Sequence, residues 1–308
     1  MTGDPSAKPI LGMAVNHYWN SPDLAARAVM VTTTELGLRM LRLSPLVGSI
    51  TLVDGSPEPD ERLAGLCAEI GARYLHAGRE IGLAEGYNLG WRSLSEPFVG
   101  LMANDIVPFP LESLEKLLEV VQDPEVGLVF PYLSMCDYPP QLARFSVLRR
   151  RTMVTCEPAS MTLNLNILPR DVLERVGGVD EKYLTGFYDP ILVMRVRELG
   201  YRAVQVGGAW VVHLDRLTKK IGGSTLTRVV HKADRDRFFR EYPRLRTRHG
   251  IWGISFWKWP IATTRSAALL WWLSQRLPQL HARRAFEELV VLVEPLLTRY
   301  PARRGRRR

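Results

Sequence analysis

The sequence predicts an α/β protein: a mostly parallel, twisted sheet flanked by helices. Two observations in the first 135 residues carry this expectation. Short apolar runs alternate with helical stretches of about 10–15 residues, the signature of βαβ units. Three of those runs also stop at polar groups, at Asn16, Asp54 and Asn104-Asp105. In such a sheet all three project onto one edge, and ligands of open α/β sheets bind beyond the carboxyl ends of the strands. Composition agrees, because 46% hydrophobic and 24% charged residues exclude a disordered, collagenous or coiled-coil chain. A length of 308 residues suits one large domain plus an appendage, or two modest domains.

Each element has a local reason. Residues 10–15 are an apolar run that ends at Asn16-His17, a buried strand. Residues 22–41 read as a helix with Ser21 as N-cap and Pro22 at its first position. Residues 49–53 form the second strand, stopped by the turn residues Asp54-Gly55-Ser56-Pro57. Residues 60–70 form a helix closed by Gly71. A strand at 72–75, a helix at 86–94, a strand at 98–103, a helix at 110–121 and a strand at 126–130 follow. Residues 136–170 are less regular. Helices are expected at 170–176, ending at Gly177-Gly178, and at 189–199, closed by Gly200. Strand pieces at 203–206 and 209–212 lead to His213.

Charge divides the chain. The net +9 hides an uneven split: 22 of the 41 basic but only 7 of the 32 acidic residues lie from Asp215 onward, so that part carries +15 and residues 1–214 carry −6. A basic segment joined to an acidic body points to a polyanionic partner. Residues 219–224 form a basic, glycine-rich loop, and five of the eight tryptophans lie after residue 250. Residues 262–277 and 285–297 read as basic helices beside Trp257, Trp259, Trp271 and Trp272. Tryptophan suits a membrane interface, and a basic amphipathic helix lies in that interface without spanning it. Packing against the domain or a second subunit suits the same residues. Nucleic acid is not the expected partner, since the aromatics sit among long aliphatic runs and no RNP, zinc-finger or helix-turn-helix pattern is present. No stretch of about 18 uncharged apolar residues occurs. Cys67, Cys136 and Cys156 make no CxxC, and residues 1–9 lack a signal-peptide core, so a cytoplasmic setting is expected.

Four side chains stand where chemistry would be done. Asp105 follows a buried strand, a costly place for a carboxylate; a divalent cation bridging phosphates would use it, and a helix cap would also explain it. Asp54 is placed to accept hydrogen bonds from a ribose or base, or is simple turn chemistry. His213 suits a metal ligand or a satisfied core histidine. Asp189, behind Phe187-Tyr188 and before Pro190, is either an N-cap or a general base in a partly apolar pocket.

The joint order of these segments resembles the family 2 nucleotide-sugar glycosyltransferases, which have the GT-A fold. The resemblance begins at residues 10–20 and continues through Leu52-Val53-Asp54-Gly55-Ser56 and residues 82–90, Gly-Leu-Ala-Glu-Gly-Tyr-Asn-Leu-Gly. It takes in Ala103-Asn104-Asp105 as a variant of the metal-binding D-x-D, Gly177-Gly178-Val179-Asp180-Glu181, Phe187-Tyr188-Asp189, residues 195–202 and Val211-Val212-His213. It covers roughly residues 10–225. By this resemblance residues 1–225 are the catalytic domain, with a nucleotide-sugar half up to about 135 and an acceptor half from 136, and residues 226–308 are a basic helical appendage.

The resemblance implies a metal-dependent inverting transfer from a nucleoside-diphosphate sugar, and with the basic, tryptophan-rich tail the expected acceptor is a lipid-linked or growing glycan at the inner face of the plasma membrane. Asp189 is then the base, and Asp105 and His213 hold Mn²⁺ or Mg²⁺. Asn16, Asp54, Arg79, Asn88 and Asn104 bind the donor, and Lys220 and Ser224 close over its diphosphate. The chain departs from the family pattern at Tyr188 and Ile191, which replace acidic residues beside the base, and at Glu80, which replaces an asparagine. Its metal motif holds one acid. These departures also suit a non-catalytic GT-A module that binds a nucleotide or partner.

Overall fold

The computed structural model describes residues 10–20, 23–135, 153–154, 164–184, 186–214 and 225–243. Ser21, Pro22, Lys220, Ser224, Cys136, Cys156 and the tryptophan-rich tail lie outside them.

A single sheet organises the chain. Its strands are β1 (Leu11–His17), β2 (Val47–Asp54), β3 (Arg73–His76), β4 (Phe98–Ala103), β5 (Ile106–Val107), β6 (Val126–Met135), β7 (Met153–Val154), β8 (Leu165–Pro169) and β9 (Arg202–His213). They stand in the order β3-β2-β1-β4-β8-β6-β9-β5, with β7 also paired to β9. Strands β1, β2, β3, β4, β6 and β9 all run one way, as their parallel pairings and the antiparallel bridge through β8 require. The expected mostly parallel sheet is therefore present, with β8 as its reversed interior strand.

Helices cover both faces. On one side lie α1 (Leu24–Leu43), α2 (Glu61–Ile70) and α4 (Glu112–Val121); on the other lie α3 (Leu83–Arg92), α5 (Arg170–Arg175), α6 (Tyr188–Glu198) and α7 (Thr225–Glu241). Each sheet face has its own core, because alternate residues of a strand point to opposite sides. On β1, Leu11, Met13 and Val15 enter one core and Ala14 the other.

Caps start the first two helices. Asp23, not Ser21, caps α1, accepting the N–H groups of Ala25 and Ala26 at 3.0 Å each. Asp60 caps α2 by accepting Leu63 N–H at 3.1 Å. Gly71 closes that helix in the left-handed region, φ 66°, as its sequence position predicts.

Three elements escape the sequence pattern. Strand β8 is short, and its alternation is broken by Asn166, which is fully buried. The two expected pieces after residue 202 are one strand, β9, interrupted by a register shift against β6 at Gly207-Gly208. Helix α7 begins where the catalytic domain was expected to end, and its Phe238 and Phe239 enter the core beside Tyr183 and Phe187. The packed body therefore runs past residue 225. Among the described residues no helix is long and apolar enough to cross a membrane.

Candidate active site

The carboxyl ends of β1, β2, β4 and β9 meet at one edge. Register places Asn16 between Val53 and Ala103, and His17 beside Asp54. Immediately after β4 the chain turns through Asn104-Asp105 into β5, which pairs antiparallel with β9 so that Ile106 faces His213. Leu214 N–H donates to the Asp105 carbonyl at 2.9 Å. This pairing brings His213 Nε2 to 3.5 Å from Asp105 Oδ2, with the two side chains 7% and 13% exposed.

Several amide and imidazole atoms around this edge are buried without a hydrogen-bond partner. They are Asn16 Oδ1, Asn104 Nδ2, His213 Nδ1 and, one row deeper on β8, both polar atoms of Asn166. Leaving such an atom unmet costs about 1–3 kcal/mol, so a cluster of them marks a place built for polar contacts. Asn16 is held by donating from Nδ2 to Leu83 O at 2.7 Å. Helix α3 lies close enough to do this because Gly86 and Gly90 face β1: a Cβ at Gly86 would stand 2.6 Å from Asn16 Oδ1, and one at Gly90 2.7 Å from the Ala14 Cβ.

Asp54 is fully buried. Its Oδ1 accepts Ser56 N–H at 2.9 Å, and its Oδ2 accepts the Tyr74 hydroxyl at 2.6 Å and Asp60 N–H at 3.2 Å. Burial alone would raise its pKa, but neighbouring His17 and these hydrogen bonds outweigh burial and hold it below the ordinary value. Asp54 thus shapes the loop after β2 and has no surface to offer a ligand.

His17 is buried with Nδ1 at 2.9 Å from Thr34 Oγ1. Since the Thr34 hydroxyl already donates to Met30 O, it accepts from the imidazole. Burial lowers the His17 pKa from its ordinary 6.5, despite the opposing pull of Asp54 and Asp60. In the fold the ring is neutral, whereas the unfolded chain takes up a proton below that value. The stability from this site is therefore present above pH 6.5 and lost as pH falls, by at most about 1.4 kcal/mol per pH unit. The melting temperature should drop between about pH 7 and pH 5, and His17→Gln should remove part of that slope; an unchanged slope would contradict this.

Asn88 faces inward. Its Nδ2 donates to Val179 O and Glu181 Oε1 at 2.8 and 2.7 Å, and its Oδ1 accepts Val179 N–H and Trp91 Nε1–H, both at 2.9 Å. With all its polar capacity used, it ties α3 to the loop at Gly177-Gly178. Gly178 has φ 79°, and a Cβ there would stand 2.5 Å from Asn88 Oδ1. Gly178→Ala should cost about 2–4 kcal/mol in a urea unfolding experiment.

Arg79 pairs with Glu85 and is largely exposed at the rim. Glu80 accepts from the Tyr18 hydroxyl, and Asn20 Nδ2 lies 3.5 Å away. Burial and then Glu80 push the Tyr18 hydroxyl pKa up to about 12.

Asp189 sits in the first turn of α6. Below it Tyr188 packs edge-on against Tyr87, ring centroids 6.1 Å apart. Burial first, then the negative charges of Asp105 and Asp189, raise the Tyr87 hydroxyl pKa. Tyr188 is raised by burial, by Tyr87 and by Asp189, Asp105 and Asp234. The negative charges of Asp105 and Asp189 thus both act on the hydroxyls of this aromatic pair.

The structure thus gathers Asn16, Asn104, Asp105 and His213 at one sheet edge, sets Asp189 at the start of α6, and spends the polar atoms of Asp54 and Asn88 on the scaffold. Sequence reasoning passed over His17, Tyr87 and Asp234. His17 and Tyr87 stood inside motifs already singled out, but nothing in their spacing distinguishes them from core residues.

No family model matches the chain, and no curated protein matches it by sequence. Solved structures do. A mannosyltransferase, PcManGT from Pyrobaculum calidifontis in complex with GDP-Man and Mn²⁺, superimposes with a TM-score of 0.54 at 16% identity, over 97% of this chain and 86% of that one. TarS 1-349 from S. aureus gives a TM-score of 0.51 at 12% identity, over 96% and 93%. At these identities the likeness establishes the fold, which is the GT-A-like fold of nucleotide-sugar glycosyltransferases.

Proposed function

We propose that this protein is an inverting glycosyltransferase that moves a sugar from a nucleoside-diphosphate donor to the hydroxyl of a lipid-linked or growing glycan acceptor. The observation that carries the reading is the Asp105–His213 pair, 3.5 Å apart at the edge of a GT-A-like sheet. The GDP-Man and Mn²⁺ in the mannosyltransferase of like fold support the donor class and the cation.

The residues fit Mn²⁺ or Mg²⁺. They offer one carboxylate and one imidazole, and among the described residues no group of three or more acidic, histidine or cysteine side chains is arranged to hold a metal ion. Such a hard cation takes few protein ligands and completes its shell with substrate phosphates and water. Bound there, it would stabilise negative charge on the departing diphosphate. Asn16 Oδ1 and Asn104 Nδ2 bind the donor, Arg79 lies at the rim, and Asp54 and Asn88 hold the surrounding loops in shape. Lys220 and Ser224, which lie outside the described residues, are assigned to the diphosphate by the family resemblance alone. Asp189 takes the proton of the acceptor hydroxyl, whose oxygen attacks the anomeric carbon as the bond to the diphosphate oxygen breaks on the opposite face.

The departures at Tyr188 and Ile191 are absorbed by packing. Both side chains are buried in the α3–α6 core, 8% and 1% exposed, and leave Asp189 at the start of its helix.

The test is a thermal-shift panel of nucleoside-diphosphate sugars with and without Mn²⁺, followed by transfer assays on the donor that stabilises most. Stabilisation by one donor class only with the cation supports the reading; no response to any donor sinks it. The basic, tryptophan-rich chain from Asp215 onward suits docking to an anionic membrane surface on the cytoplasmic side. Failure of the full chain to float with anionic vesicles at low salt would remove that part.

A further inference from the structure

Among the described residues Phe187 is the one non-glycine with a left-handed backbone, φ 69°. It is 2% exposed, and it immediately precedes the helix that carries Asp189. A bulky residue in this region costs about 1–3 kcal/mol and persists only where its surroundings over-determine it.

Those surroundings come from α7. Asp234, 4% exposed, accepts two main-chain N–H groups: Leu184 to Oδ1 at 3.3 Å and Gly186 to Oδ2 at 3.2 Å. About one and two helical turns further on, Arg237 donates to Lys182 O, and Glu241 accepts the Tyr183 hydroxyl at 2.9 Å. The Phe187 ring packs on Phe238 and Phe239, with centroids 5.1 and 6.3 Å away. From the opposite side, Leu83 N–H donates to Leu184 O at 2.9 Å, and Gly82 lies so close that a Cβ would stand 3.0 Å from Leu184 Cα. The turn before Asp189 is thus gripped between the start of α3 and the face of α7. A buried carboxylate is an expensive grip. Two charge-assisted hydrogen bonds aimed at one short turn offset that cost by fixing its geometry.

We infer that Asp234 is the positioning residue for the base: it clamps the main chain at Leu184 and Gly186, holds Phe187 left-handed, and so aims Asp189 at the crevice. The inference rests on Asp189 being the base of the proposed transfer. It gives the chain beyond residue 225 a part in the reaction.

The test uses the full chain with Asp234→Asn, which keeps the shape but replaces one acceptor with a donor facing an N–H. A misplacement of about 1 Å can cost on the order of 10²-fold in rate. The variant should therefore lose about 10- to 100-fold in kcat, with the donor KM changed less than about twofold. Amide exchange at Leu184 and Gly186 should quicken, and Asp234→Glu, which keeps both acceptors, should recover part of the rate. Because Asp234 acts through Asp189, Asp189→Asn/Asp234→Asn should be no slower than Asp189→Asn alone. Additive losses in that cycle would overturn the assignment, as would faster exchange with unchanged kcat, or a lowered Tm with full kcat in the folded fraction. A wild-type chain that turns over no donor refutes the enzymatic reading, and the role of Asp234 falls with it. A wild-type chain that transfers sugar while the cycle is additive refutes the role of Asp234 alone.

Discussion

Asp189→Asn is expected to lower transfer by about 10²- to 10⁴-fold, the usual contribution of a positioned general base. Donor affinity should stay within about twofold. The asymmetry follows from the site's construction. Asp189 comes from the first turn of α6, on the helix layer beside Tyr87 and Tyr188, whereas the groups proposed for the donor come from the ends of β1, β4 and β9. An asparagine has nearly the same shape and cannot take up the acceptor's proton. Burst and steady-state transfer assays, with donor binding by calorimetry, separate the two effects. Full transfer by Asp189→Asn would show that the proton goes elsewhere. Loss of donor binding instead would make Asp189 a donor contact.

The second large effect is expected at Asp105. Asp105→Ala should abolish the part of donor stabilisation that depends on Mn²⁺ and reduce turnover by about 10²- to 10³-fold, as for removal of a main electrostatic stabiliser. His213→Ala should act in the same direction, since β5–β9 pairing places the two side chains side by side. Chelation of the wild-type protein should reproduce both variants. The readout is thermal stability against donor concentration, measured with and without the cation. Asp105→Ala protein that retains its full metal-dependent shift would remove Asp105 from the cation site.

The parallel half of the fold was legible because its signals are local. Strands β1 and β4 are continuous apolar runs and β2 a largely apolar one, each stopping at polar residues, and α2 carries both its Asp60 cap and its Gly71 stop within the same stretch of chain. A strand buried on both faces must be apolar throughout, so its ends show in the sequence. Strand β8 gave no such signal. Asn166 interrupts it, and its partners Leu101 and Val129 are far away in the chain. Helix α7 stayed hidden for a related reason: it is highly charged, and what makes it part of the body is the contact of Phe238 and Phe239 with Phe187.

The candidate site divides along the same line. Residue order alone placed Asn16, Asn104, Asp105, Asp189 and His213 at element ends, because strand direction and turn chemistry decide where a chain leaves a sheet. Motif position also marked Asp54 and Asn88, yet both spend their polar atoms inside the protein. Whether a polar side chain meets a ligand or its own scaffold depends on which distant atoms satisfy it first. Tyr74 and Asp60 do so for Asp54, Val179 and Glu181 do so for Asn88, and Asp234 does so for the turn before Asp189. The sequence by itself determined the sheet edge and the chemical character of the groups on it. Tertiary structure decided which of them spend their polar atoms on the scaffold, because hydrogen bonds between segments remote in the chain exist only once the chain has packed.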